Sequence, residues 1–101
     1  MLANMGLRLP SGRIPDFLTD TVLREVKNVS RLVWSGRVAA QLRDYALFCL
    51  RTDRRFYIHV REGTEVSSTV VRELEQIFGQ GSKGVRWDIV QDIPNSLRIV
   101  P

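Results

Sequence analysis

The chain has 101 residues, which is the length of one domain, and we expect a single domain over residues 1–101 with its core in residues 13–93. Hydrophobic residues make up 44% of the chain, which argues against intrinsic disorder, and one cysteine excludes an internal disulfide. No apolar run approaches the roughly 18 residues of a membrane span. The formal charge is +4, and 13 of the 15 basic residues are arginine. Because guanidinium groups bind phosphates and carboxylates bidentately, this composition favours anionic partners and no membrane.

The first third of the chain predicts short strands separated by turns. Residues 6–10 predict a short strand, and residues 13–18 predict a second one that Pro15 interrupts. Turn residues at positions 19–21 then lead into residues 22–29, whose β-rich alternating pattern predicts a third strand. The second and third strands form a hairpin if the turn lies between them.

The rest of the chain predicts two helices, each followed by a strand. Residues 36–51 place apolar side chains on one helical stripe, with Ser35 or Ser30 as the N-cap, and residues 56–61 alternate like a strand. A second helix has Ser67 or Ser68 as its N-cap and ends at Gly79, and residues 85–90 predict the last strand. The order β-β-β-α-β-α-β predicts an α/β fold in which a hairpin-led mixed sheet carries two helices.

The predicted hairpin brings three charged side chains together. With the turn between positions 20 and 21, Leu18 faces Leu23 and Asp16 faces Glu25, while Lys27 shares the strand face of Glu25. Two carboxylates on cross-strand positions repel each other unless a proton or a cation lies between them. A hard divalent cation such as Mg²⁺ suits two carboxylates, and Lys27 could then assist a metal-activated water or offset charge on a phosphate. The alternative is an ordinary surface ion pair worth less than about 1 kcal/mol.

Polar residues on the first helix extend this pattern. Gln41 and Tyr45 are four residues apart and share one helix face, where an amide and a hydroxyl can contact a phosphate or a base edge. The alternative is a helix-boundary glutamine and a half-buried aromatic.

Pro15-Asp16 followed by Glu25-Val26-Lys27 resembles the PD-(D/E)xK signature of the restriction-endonuclease-like nuclease superfamily, and Gln41 with Tyr45 resembles the Q-x3-Y pattern that accompanies it. A longer series of segments is similar to the Tox-REase domains at the C-terminal ends of bacterial polymorphic and contact-dependent toxins. In chain order these segments are Arg13-Ile14-Pro15-Asp16, Glu25-Val26-Lys27-Asn28-Val29, Gln41-Leu42-Arg43-Asp44, Val60-Arg61 and Thr64-Glu65-Val66-Ser67.

The resemblance implies a metal-dependent phosphodiesterase that acts on DNA, with RNA as the alternative substrate. It implies Mg²⁺, with Mn²⁺ as the alternative, bound by Asp16 and Glu25. The catalytic residues that it implies are Asp16, Glu25, Lys27 and Gln41; Lys27 would assist the attacking water, and Gln41 would position the substrate or that water. The substrate contacts that follow from matching positions are Tyr45, Arg13, Asn28 and Arg43.

The resemblance also implies a biological setting, in which a toxin domain of a larger secreted polypeptide is delivered into the cytoplasm of a target cell. Such a domain meets an inhibitory immunity protein, and an acidic one would suit the arginine-rich chain. The superfamily core starts with a helix before the hairpin, but few residues precede Arg13 here. We therefore keep two alternatives: a catalytically inactive nucleic-acid- or protein-binding module of the same fold, and a domain completed by a homodimer or a domain swap.

The remaining polar and aromatic residues give weaker expectations. His59 is expected to be a packed strand residue and Cys49 an inert buried thiol. Trp34 and Trp87 suit either the core or a partner contact. The arginines between the first helix and the following strand suit either a solvated loop or contacts to a phosphate backbone; they are Arg51, Arg54 and Arg55.

Overall fold

The fold was obtained as a computed structural model, which describes residues 8–97. Its helices are α1 (Gly36–Thr52) and α2 (Ser68–Phe78), and a short 3₁₀ turn spans Asn95–Leu97. Its strands are β1 (Phe17–Leu18), β2 (Val22–Lys27), β3 (Arg31–Leu32), β4 (Arg55–Val60), β5 (Glu65–Val66) and β6 (Trp87–Val90). No helix in this part of the chain is both long and apolar enough to cross a membrane.

The strands form one mixed sheet and one small parallel pair. The main sheet has the order β1-β2-β4-β6, in which β1 and β2 are antiparallel and the other neighbours are parallel. Strands β3 and β5 pair in parallel beside it. In chain order, α1 lies between β2 and β4, and α2 lies between β4 and β6. Both pairs of strands are parallel in the main sheet, so each helix is part of a crossover connection. The predicted hairpin-led mixed sheet with two helices is therefore confirmed.

The core lies between the two helices and one face of the main sheet. Helix α1 buries a stripe with helical spacing, formed by Ala39, Leu42, Tyr45, Ala46 and Cys49. These residues join alternate residues of the strands and two positions of α2 in one cluster, which includes Leu23, Phe56, Ile58, Val60, Val70, Leu74 and Trp87. Trp87 is fully buried, and its indole donates a hydrogen bond to Ser82 Oγ at 2.9 Å. Trp87 therefore belongs to the core.

Both helices have their N-caps at serines that the sequence predicted, but only one of these serines makes a side-chain capping bond. Ser67 caps α2, and its hydroxyl accepts from the Thr69 amide at 3.2 Å. Gly79 ends α2 with a positive φ of 113°, which favours glycine. Ser35 occupies the N-cap of α1, but its side chain makes no capping bond; its carbonyl accepts from Ala39 N instead.

The strand predictions were too long at the start of the chain. The strand predicted over residues 6–10 lies partly outside the described residues, and residues 8–10 form coil and turn. The strand predicted over residues 13–18 shrinks to Phe17–Leu18, because Pro15 has no amide proton for a strand ladder. The sequence pattern did not predict β3 and β5, because two-residue strands are too short to show alternation.

Candidate active site

The hairpin register places Asp16 opposite Glu25. Leu18 pairs with Leu23 and Phe17 with Arg24, so the next positions along both strands are Asp16 and Glu25. The Asp16 amide donates to Glu25 Oε1 at 3.2 Å, and the Val26 amide donates to Asp16 Oδ2 at 2.8 Å. These two bonds continue the hairpin through side chains where the backbone ladder stops. Both carboxylates are thereby fixed at the end of the hairpin.

Lys27 joins the hairpin to helix α1. Its ammonium group lies 3.4 Å from Glu25 Oε2 and also donates a hydrogen bond to Gln41 Oε1. Glu25 is only 4% exposed, and Lys27 is partly buried. The chain thus holds an ammonium group, two carboxylates and an amide within one cluster, which we call the Glu25–Lys27 cluster and define as Asp16, Glu25, Lys27 and Gln41.

A directed chain of hydrogen bonds orients the Gln41 amide. The Tyr45 hydroxyl lies 3.4 Å from the Ile14 carbonyl, which can only accept, so the hydroxyl proton points to Ile14. The hydroxyl oxygen then accepts from Gln41 Nε2 at 3.4 Å. This arrangement turns Gln41 Oε1 toward Lys27, whose ammonium group can only donate. Tyr45 is 1% exposed, so it supports Gln41 from the core side.

The electrostatics of the cluster are dominated by burial. Burial is the main cause that raises the pKa of Glu25 to about 7, and the nearby Asp16 charge raises it further. The Lys27 charge and the hydrogen bonds to Glu25 act in the opposite direction. Burial and the charge of Glu25 raise the pKa of Tyr45 to about 12. Tyr45 therefore remains a neutral hydroxyl at physiological pH.

The residues present fit a hard divalent cation. Among residues 8–97, no group of three or more His, Cys, Asp and Glu side chains is arranged to hold a metal ion. Asp16 and Glu25 offer carboxylate oxygens that lie close enough for the charge of Asp16 to raise the pKa of Glu25. Mg²⁺ is commonly held by one or two carboxylates and several waters, and a cation there would relieve this repulsion. The donor set therefore suits Mg²⁺ or Mn²⁺ better than a metal that needs nitrogen or sulfur ligands.

The other residues predicted to contact substrate, apart from Tyr45, are Arg13, Asn28 and Arg43, and they differ in their surroundings. Arg13 reaches α1, where its Nη1 lies 3.6 Å from Asp44 Oδ2. Asn28 follows β2 and is exposed. Arg43 is directed away from Gln41: its Nη2 lies 3.4 Å from Glu73 Oε1 on α2, and its guanidinium lies 5.5 Å from the Trp34 ring centre.

The sequence did not predict two groups that contact site residues, the Ile14 carbonyl and the Asp44 carboxylate. The Ile14 carbonyl anchors Tyr45, and no side-chain pattern reveals a backbone acceptor of this kind. Asp44 accepts a hydrogen bond from the Ser11 hydroxyl and lies 3.6 Å from Arg13 Nη1, and its one sequence signal was its place directly after Arg43 in the matching segment.

His59 and Cys49 are both buried, as the sequence predicted. His59 is 3% exposed, with Nδ1 2.9 Å from the Asp92 carbonyl oxygen and Nε2 2.9 Å from Arg24 Nη1. Burial lowers the pKa of His59, so the ring is a packed neutral strand residue. Cys49 is fully buried, and burial raises the pKa of its thiol to about 12, which makes it unreactive.

A hairpin-led mixed sheet with paired carboxylates and a lysine at the hairpin end is consistent with the restriction-endonuclease-like class of protein. The model of the family described as restriction endonuclease fold toxin 7 matches residues 3–70, more than half of the chain. The chain therefore belongs to this family of restriction-endonuclease-fold toxins. No curated protein and no solved structure matches it. The family description indicates a nuclease toxin.

Proposed function

We propose that this chain is a divalent-metal-dependent nuclease domain that hydrolyses phosphodiester bonds, with DNA as the favoured substrate and RNA as the alternative. One observation carries the proposal: Lys27 is held between Glu25 and Gln41, and Glu25 also accepts from the Asp16 amide, in a cluster tied to both the hairpin and helix α1. Family membership supports the same reaction class.

Each residue of the cluster has a role that follows from its contacts. Asp16 and Glu25 would hold Mg²⁺ or Mn²⁺, and such a cation, when bound, supplies Lewis-acid stabilisation of phosphate charge and activation of water. The Lys27 ammonium group would stabilise negative charge that develops on the phosphate. Gln41 positions that ammonium group, and Tyr45 positions Gln41. Preorganised donors of this kind reduce the reorganisation that the transition state requires.

Substrate contacts belong to the exposed rim of the cluster. Arg13 is 37% exposed and only loosely paired with Asp44 at 3.6 Å, so its guanidinium remains available to a phosphate. Asn28, exposed just after β2, can donate to or accept from a neighbouring nucleotide. Arg43 and the buried Tyr45 hydroxyl have protein partners and are assigned no substrate contact here.

The proposed biological role is that of a toxin domain that acts in the cytoplasm of a target cell. Family membership supports a toxin. A nuclease of this kind would require an inhibitory protein in the producing cell. The net charge of +4, carried mainly by arginine, would favour an acidic inhibitor.

A cleavage assay with a matched lysine control tests the proposal. Plasmid DNA and total RNA are incubated with the protein in Mg²⁺, in Mn²⁺ or in EDTA. We expect metal-dependent cleavage that falls by about a hundredfold or more in Lys27→Ala. Lys83 is the other lysine of the chain and is exposed in a glycine-rich loop, so Lys83→Ala should cleave like the wild type. Cleavage that survives EDTA, or equal activity of the two variants, would overturn the proposal.

A further inference from the structure

The main sheet has a second face that the two helices leave uncovered. Side chains alternate along each strand, so Leu23 and Phe56 face the helices while Arg24 and Tyr57 point to the opposite side. The Glu25–Lys27 cluster lies on the helix side, since Lys27 contacts Gln41 of α1. The opposite face is therefore separated from the cluster by the thickness of the sheet.

An arginine-lined groove lies where the parallel strands begin, and it extends from this opposite face to the sheet edge beside the ends of the two helices, where Arg86 lies 5.8 Å from the Phe78 ring centre. It encloses about 600 Å³ and brings together Arg24 of β2, Arg55 of β4 and Arg86 from just before β6. Among residues 8–97, Asp53 is the one acidic residue that lines it, and this side chain is 96% exposed where it approaches Arg86 at 3.5 Å. An ion pair so exposed neutralises little charge, so the groove is cationic.

The guanidinium of Arg24 is held in place by two neighbours. Its Nη1 lies 2.9 Å from His59 Nε2, which must accept the bond because a guanidinium can only donate. The other ring nitrogen of His59 then donates to the Asp92 carbonyl at 2.9 Å. The guanidinium also lies 4.8 Å from the centre of the Tyr57 ring. A fixed arginine presents its remaining donors to a ligand at a smaller entropic cost.

We propose that this groove docks an acidic segment of a protein partner, whose carboxylates pair with Arg24, Arg55 and Arg86. Three arginines with a tyrosine and an exposed apolar side chain match the composition of protein interfaces, and Val85 is 61% exposed at the groove. Single-stranded nucleic acid is a poorer match, because Arg24 already covers one face of the Tyr57 ring on which a base could stack.

The groove lies apart from the Glu25–Lys27 cluster, so the partner and the nuclease substrate would bind at different places. Arg55 pairs with Val22 at the first position of β2, whereas Lys27 is its last residue. Five residue steps at about 3.3 Å each put about 16 Å of strand between these positions, besides the change of face. An acidic segment in the groove therefore leaves the Glu25–Lys27 cluster uncovered. The proposal does not depend on nuclease activity.

Binding of a labelled peptide rich in glutamate and leucine tests the groove directly, by fluorescence anisotropy in low salt. We expect the double variant Arg24→Gln/Arg55→Gln to weaken peptide binding by about tenfold or more, since charge-assisted hydrogen bonds are lost. Arg55→Gln alone should weaken it measurably without disturbing the contact between Arg24 and His59. Arg72→Gln removes the same charge from the exposed side of α2 and should bind like the wild type.

Two further measurements separate this proposal from its rivals. Binding of a short DNA duplex in EDTA, and plasmid cleavage in Mg²⁺, should be the same in the double variant and the wild type. If the double variant loses affinity for DNA and not for the peptide, the groove binds nucleic acid and the proposal is wrong. If all the arginine variants weaken peptide binding equally, the attraction is a general charge effect and the proposal also fails. Absence of cleavage in the wild type would refute the nuclease function and leave the peptide result to decide the groove.

Discussion

The Lys27 ammonium group lies 3.4 Å from a Glu25 carboxylate oxygen, yet the pKa of Glu25 is raised to about 7. Burial and the Asp16 charge together outweigh the attraction of the lysine. The cluster therefore carries excess negative charge in a poorly solvated place. Binding a cation would lower this cost, whereas binding a proton lowers it in the metal-free protein. If the proposed cation binds there, the same two carboxylates would couple cation binding, pH and stability.

We expect the metal-free protein to lose stability as the pH rises from about 4.5 to above 7. The pKa of Glu25 is about 7 in the folded chain and has an ordinary value of 4.5, so the folded state binds more protons in this range. The stabilising contribution is complete below the ordinary value and is lost as the pH passes the folded value, by on the order of 3 kcal/mol. Urea unfolding in EDTA across this range should show a smaller loss in Glu25→Gln.

His59 acts in the opposite sense and must be separated from Glu25. The pKa of His59 is lowered below 6.5, so this residue costs stability as the pH falls through 6.5 and below. Because both proteins contain His59, the difference between wild type and Glu25→Gln isolates the carboxylate. Equal pH slopes in the two proteins would show that Glu25 is not perturbed as described.

Tyr45→Phe should lower the rate of cleavage more than the affinity for substrate. The substitution removes the hydroxyl that fixes the Gln41 amide, so the amide can turn its nitrogen toward Lys27. We expect kcat to fall by roughly tenfold with little change in KM, and stability to fall by about 1 kcal/mol. Tyr57→Phe on the opposite sheet face is the matched control and should keep the wild-type kcat. A change confined to KM in Tyr45→Phe would instead indicate a substrate contact.

The hairpin geometry could be predicted from the sequence, whereas the contacts made by helix α1 could not. Alternation and a turn after Asp20 are enough to place Leu18 opposite Leu23 and Asp16 opposite Glu25. The contact between Lys27 and Gln41 depends on how α1 packs across β2, which is a tertiary property. Helical spacing puts Gln41 and Tyr45 on one face, but it was the resemblance to a known motif that singled out Gln41.

Helical geometry explains why the Arg43 side chain does not point to the site for which the matching segment predicted it. Successive residues turn by about 100°, so two residues separate Arg43 from Gln41 by about 200° around α1. Gln41 faces β2, and Arg43 therefore faces α2 and reaches Glu73. A matching segment shows which residue types occur at which positions of the chain. The direction in which each side chain points depends on the helix to which the residue belongs.

Leu42→Ala should destabilise the fold by about 2–5 kcal/mol. Leu42 is fully buried in the cluster that joins α1 to the sheet, and its truncation leaves a cavity that the neighbouring strands and helices cannot fill completely. Denaturant unfolding measures the change. Leu50→Ala is the matched control, because Leu50 is 39% exposed on the same helix and should lose far less stability. Equal losses would contradict the assignment of the buried face of α1.

Divalent cations should raise the melting temperature of the wild-type protein, and Asp16→Asn should abolish this effect. Asp16 lies at the hairpin end, and its carboxylate is exposed enough to receive a cation while its Oδ2 accepts from the Val26 amide. A ligand that binds only the folded state at about a hundred times its dissociation constant adds about 2.7 kcal/mol. Thermal unfolding is followed in Mg²⁺, Mn²⁺ or EDTA at pH 8, where Glu25 is ionised. The control Asp20→Asn changes an exposed turn residue and should keep the cation effect. An equal rise in Tm for Asp16→Asn and the wild type would place the cation elsewhere on the chain.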